Sequence, residues 1–108
     1  MSVKENTRWK EWAERLRQRM MAELTTEVAL PVERIRTEIK TDKSASAMRT
    51  RKFWTAFQAE ADTNNVLRKA GFHIDFVPNA NGDVEVVTLR LNDTWKSIMQ
   101  RVLDRRAT

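Results

Sequence analysis

The stretch Phe72-His73-Ile74-Asp75-Phe76-Val77-Pro78-Asn79-Ala80-Asn81-Gly82-Asp83-Val84-Glu85-Val86-Val87-Thr88-Leu89-Arg90-Leu91 decides the fold. Asn81-Gly82 is the favoured pair for a two-residue type I′ turn, in which both central residues take positive φ. A turn there pairs Phe76 with Val87, Ile74 with Leu89 and Phe72 with Leu91. These apolar side chains then share one face, because side chains alternate along a strand. The opposite face pairs His73 with Arg90 and Asp75 with Thr88, side chains that suit water. Turn chemistry and alternation agree on one register. The sequence therefore predicts a two-stranded antiparallel hairpin over about residues 72–77 and 84–91.

Outward from the hairpin the pattern becomes helical. Asn92 or Asp93 caps a C-terminal helix whose Trp95, Ile98, Met99, Val102 and Leu103 form one apolar stripe. Arg101, Arg105 and Arg106 fall toward its C-terminal end, where cations complement the helix dipole. On the other side, Gly71 reads as the left-handed terminator of a short helix ending at Ala70. Asp62-Thr63-Asn64-Asn65, poor helix formers that cap well, separate it from a longer helix. That longer helix starts near Ser44 or Ser46 and shows Thr50, Phe53, Trp54, Phe57 and Ala61 on one face. At the N-terminus, Trp9, Trp12, Ala13, Leu16, Met20 and Leu24 recur at steps of three and four, predicting a helix over about residues 3–24. Ser2 with Glu5 fits a capping box at its start.

Residues 27–41 carry two patterns. Val28, Val32, Ile35 and Ile39 follow helical spacing, and Pro31 suits a first helical turn, so the segment leans to helix. Arg34 to Lys40 also alternates with period two, and a strand there stays open. The fold class expected is α+β: N-terminal helices, the hairpin and a C-terminal helix, as one domain over residues 1–108.

Composition bounds the function. Hydrophobic residues make up 41% and charged residues 32%, with four Trp and four Phe, a mixture that suits a packed core rather than a disordered tail. The absence of Cys excludes disulfides and thiolate metal sites. No apolar run approaches the ~20 residues of a membrane span, and the charged N-terminus lacks a secretory apolar region. These features predict a cytoplasmic location with no membrane partner. The net charge of +5 points to an anionic partner, nucleic acid first among them.

The catalytic inventory is thin. His73 is the sole histidine and is expected on the wet face of a strand, where it has no evident orienting partner for general base work. With glycine only at positions 71 and 82, a phosphate-cradling Gly-rich loop has no material. Glu11 and Glu14 share a helix face, but flanking Lys and Arg suit surface pairing. The chain is therefore expected to be no enzyme, with no catalytic residue, metal site or cofactor.

The cations are more informative. Lys4, Arg8, Arg15 and Arg19 share an arc of about 60° on the first helix, a placement that suits solvated cations flanking a core face. Arg49, Arg51 and Lys52 form the densest basic run and are expected to contact phosphates. Asn64, Asn65, Arg68 and Lys69 decorate the short helix. Asn and Arg there have the chemistry that reads adenine and guanine edges, while the plainer reading is helix capping.

With a strand at 34–40, the order of elements resembles a winged-helix domain over about residues 3–91, extended by a C-terminal helix. The resemblance implies a recognition helix near 63–70, a wing at 78–83 and dimerisation through the added helix. The wing tip here holds no Lys or Arg, and the helix at 46–61 is longer than the second helix of that layout. The expected function is accessory nucleic-acid binding, with a homodimer through the C-terminal helix. The rival expectation is a protein–protein adaptor or inhibitor using an apolar helix face.

Overall fold

A computed structural model of the chain describes residues 3–59 and 65–107, without the side chain of Ala107. Helix α1 (Val3–Glu23) buries Trp9, Trp12, Ala13, Leu16 and Met20, the face its spacing predicts. It ends at Leu24, whose φ of 57° is left-handed, and the amide of Thr25 donates to Met20 O at 2.9 Å. This wrap satisfies a last-turn carbonyl and turns the chain back on itself. The expected capping box involves Ser2, which lies outside the described residues.

Residues 27–41 divide differently from either sequence pattern. Strand β1 (Glu27–Pro31) comes first, and helix α2 (Val32–Ile39) follows without a loop. The helical lean holds for 32–39, where Val32, Ile35 and Ile39 are buried. The open strand at 34–40 is therefore corrected: Lys40, at φ 59°, terminates the helix instead. Pro31 has no amide to donate and sits at the end of an edge strand, where none is needed.

The long helix expected from Ser44 is broken in two. Helix α3 (Ala45–Met48) is capped by Ser44, and helix α4 (Arg51–Thr55) is capped by Thr50, continuing as a 3-10 turn over Ala56–Gln58. Thr50 is extended at φ −77° and ψ 144°, and its hydroxyl oxygen accepts from the Phe53 amide. Ala61 of the expected helix face and Asp62, Thr63 and Asn64 of the expected break lie outside the described residues. Helix α5 (Val66–Lys69) begins at the cap Asn65, and Gly71 terminates the turn with φ 102°.

Strand β2 (Phe72–Phe76) and strand β3 (Val86–Leu91) pair in the expected register, with Phe72 opposite Leu91, Ile74 opposite Leu89 and Phe76 opposite Val87. The sheet has three strands rather than the two expected, because β1 adds to the far side of β3 in the order β1-β3-β2. Its inner face joins Leu30, Phe72, Ile74, Val87, Leu89 and Leu91 to the core formed with α1, α2, Trp54 and Leu67. His73, Asp75, Thr88 and Arg90 occupy the outer face, where Arg90 pairs with Asp75 at 2.5 Å.

The tip departs from the type I′ reading. Gly82 has positive φ, but Asn81 does not. Asn79 organises the turn: its carbonyl oxygen accepts from Gly82 N at 2.9 Å, and its side chain accepts from Asn81 N and Asp83 N. This is a three-residue loop with glycine at the left-handed position. The odd residue is taken up before β3, where Val84 N donates to Arg49 O at 2.7 Å and Glu85 O accepts from Val32 N at 2.9 Å. The register of β2 and β3 thus survives a change of turn.

Helix α6 (Asp93–Ala107) is capped by Asn92, whose side chain accepts from Trp95 N at 3.0 Å. Met99 is its one fully buried apolar anchor among the described side chains, with Trp95 packed partly beneath. Arg17 of α1 lies 4.1 Å over the Trp95 ring and donates to Ala70 O at 2.5 Å, tying α1, α5 and α6 together.

Candidate nucleic-acid interface

The basic run sits at the junction between α3 and α4. Two side-chain caps six residues apart force the chain to turn there, and Trp54 Nε1 donating to Met48 O at 2.5 Å locks the turn across its buried side. Trp54 is fully buried and meets Trp9, Phe53 and Phe57 in one aromatic cluster. With its apolar side held inward, the junction presents Arg49, Arg51 and Lys52 to solvent, all three exposed. Arg49 follows the last turn of α3, where a cation complements the carbonyl ends, so it does not oppose the helix dipole as a helix-start position would.

No ion pair joins these three cations to a carboxylate among the described residues. Other cations are engaged. Arg8 donates to Lys40 O and pairs with Asp42 at 3.5 Å, and Arg36 holds Glu33 at 2.7 Å. The Arg36 hydrogen bond is the main cause that lowers the Glu33 carboxyl below its usual range, and the Arg49 charge adds to it. Arg49 therefore extends the basic surface toward the start of α2.

The short-helix residues separate. Asn65 is 3% exposed, and its amide nitrogen donates to Phe57 O at 2.7 Å while its oxygen accepts from Arg68 N at 3.2 Å. Its polar groups hold the chain together at this corner, which leaves none for a base edge. Asn64 lies outside the described residues. Arg68 is half-buried, with Nη1 3.4 Å from His73 Nδ1, and faces the outer side of the sheet. Lys69 is exposed and faces α1 instead. The expected site residues thus fall on two sides of α5, and the Arg49, Arg51 and Lys52 group stands together.

Sequence reasoning missed Lys43 and Lys10. Lys43, in the loop before α3, joins Lys52, Thr50, Phe53 and Phe57 around a cleft of about 810 Å³. Lys10 joins Lys69 and Glu14 in an adjoining cleft of about 320 Å³ between α1 and α5. Neither lysine stands in a basic run, and only the tertiary fold brings them beside Lys52 and Lys69.

Among the described residues, no group of three or more His, Asp or Glu is close enough to hold a metal, and no helix is long and apolar enough to cross a membrane. Compared with protein families, curated proteins and solved structures, the chain has no match.

Proposed function

We propose that this chain is a small accessory nucleic-acid-binding protein of the cytoplasm that acts without catalysis or cofactor. The observation that carries the reading is the α3–α4 junction, where Arg49, Arg51 and Lys52 are exposed together and held by a capped, buried turn. Cations fixed on a rigid corner bind a phosphate lattice at less entropic cost than cations on a mobile tail. The arrangement supports a winged-helix-like reading in modified form: β1 at Glu27–Pro31 supplies the first strand, and the strand order β1-β3-β2 puts β3 of the hairpin at the sheet's centre and β2 at the edge opposite β1. In this reading the α3–α4 junction takes over the contact role expected of residues 63–70, because α5 has only four residues and buries Leu67.

The test is a mobility shift against random duplex and random single strand at two salt concentrations. Arg49→Gln with Arg51→Gln should weaken binding on every sequence and reduce the salt slope by about 1.4–1.8, from roughly 0.7–0.9 per phosphate contact. A protein that binds neither substrate at low salt ends the reading.

A second reading rests on α6. No described side chain after Met99 is buried, and Leu103 is 37% exposed while Ile98 and Val102 are half-buried. A second copy of the chain, pairing through this half of the helix, would cover that face and set two basic junctions on one assembly. An adaptor or inhibitor role would use the same face against another protein, with affinity that changes little with salt.

A further inference from the structure

We infer that the nucleic acid taken by this protein is single-stranded, held in the cleft beside α4 with a base stacked on Phe53. The inference rests on the nucleic-acid reading above and narrows it. The cleft of about 810 Å³ lies within the usual range for ligand clefts, roughly 300–1,000 Å³. Its floor is aromatic. Phe53 is half-buried and Phe57 is 8% exposed, their ring centroids 5.4 Å apart, and Trp9 and Trp54 back them at 5.9 Å and 5.7 Å respectively. Its rim is cationic: Lys43 and Lys52 are both exposed, and neither has an ion pair among the described residues.

An apolar floor under a cationic rim matches a strand that offers a flat π face and a phosphate together. Base stacking on aromatics combined with a basic groove is how single strands are bound without sequence preference. A duplex has its bases stacked on each other and would need a base flipped to reach a recessed floor, at a cost of a few kcal/mol.

The cleft also continues. Asn6 and Val66 line both it and the neighbouring cleft of about 320 Å³, so the two meet between α1 and α5. Lys10 and Lys69 line the second cleft, with Glu14 the acidic residue on its wall. Lysines therefore line both clefts, which suits a backbone carrying a charge at every step. Arg17, also on that wall, is already committed to Ala70 O and the Trp95 ring.

The experiment is fluorescence anisotropy with a labelled oligothymidine and a labelled duplex of equal length, at two salt concentrations. Wild-type protein should bind the single strand more tightly. Phe53→Leu, which keeps apolar bulk but removes the ring, should weaken single-strand binding about fivefold or more. Lys43→Gln with Lys52→Gln, both at exposed positions, should lower the single-strand salt slope by about 1.4. Thermal unfolding of each variant separates lost fold from lost contact. Binding that favours the duplex, or single-strand affinity unchanged by the lysine pair, overturns this inference while the broader reading stands. Binding to neither oligonucleotide removes both.

Discussion

The backbone of Gly71 lies directly against the indole of Trp95: a Cβ at position 71 would stand 2.3 Å from Cδ1 and 2.6 Å from Nε1 of that ring. Two independent demands meet at this residue. Its φ of 102° belongs to a region that side chains resist, and the helix α6 is docked onto the space a side chain would take. The amide of Asn92 also donates to Gly71 O at 2.8 Å, which fixes where α6 begins.

Gly71→Ala should therefore cost about 2–5 kcal/mol, the sum of a left-handed alanine and an overpacked contact. Gly82 is the internal control, since its φ is 82° and nothing lies within 4 Å of an added Cβ. Gly82→Ala should cost only the backbone share, about 1–2 kcal/mol. Urea denaturation of both variants checks the difference. Combining Gly71→Ala with Trp95→Ala should be less than additive, because the second change removes the obstruction.

The contrast between these glycines bears on what the sequence disclosed. Gly71 as a terminator and the register of β2 with β3 were legible, since φ demands and alternation are local. The partner Trp95 was not, because only tertiary packing brings α6 over Gly71. β1 was hidden for a different reason: Val28 and Leu30 face inward in alternation, but the outward Ala29 and Pro31 are apolar too, so the sequence carries no polar–apolar alternation there. Thr50 was misplaced because its hydroxyl caps α4, while its spacing alone put it on the apolar face of one long helix. In the candidate site, the run from Arg49 to Lys52 was visible as charge. Lys43, Lys10 and the exposed side of Phe53 depend on how loops close, and carry no sequence signature. Asn65 illustrates the limit of residue chemistry, since an amide able to read a base is equally able to cap a helix.

That capping role gives a second expectation. Asn65→Ala should destabilise the protein by about 2–3 kcal/mol, combining a lost cap with the buried carbonyl of Phe57 left unpaired. Asn65→Asp keeps an acceptor for the Arg68 amide but turns a carboxylate toward Phe57 O, so it should also destabilise. An aspartate variant as stable as wild type would show that the donors of Asn65 contribute nothing. Chemical denaturation distinguishes the outcomes.

Glu33 offers a pH signature for the basic junction. Its carboxyl is lowered first by the Arg36 hydrogen bond and, more weakly, by the Arg49 charge. A group depressed in the folded state adds stability above its unfolded pKa and loses it as pH falls through the folded value. Because Glu33 is exposed, the effect on stability is small, and the useful readout is its titration. Carboxyl NMR should show Glu33 titrating below an ordinary glutamate. Arg36→Ala should raise the midpoint most and Arg49→Gln by less. No change with Arg49→Gln would place that guanidinium farther from α2 than the fold shows.

Helix α6 divides at Met99, and the two halves should behave differently. Met99 is 2% exposed and sits in the common core, so Met99→Ala should cost about 2–4 kcal/mol through the cavity it leaves. The described side chains beyond it are half-buried or exposed, so ending the chain after Val102 should change stability by no more than about 1 kcal/mol. If the outer half serves only to cap the fold, that truncation has no further consequence. If it joins two copies, wild-type protein at micromolar concentration should sediment at twice the 12.7 kDa chain mass, and the truncated chain should sediment as a monomer. Ile98→Glu places a charge in the same contact and should dissociate the pair while leaving Met99 in its core. A wild-type monomer across that range would remove the second copy as the partner of α6. The half-exposed face would then be open only to another protein, and its affinity for that protein would have to survive high salt where binding to nucleic acid does not.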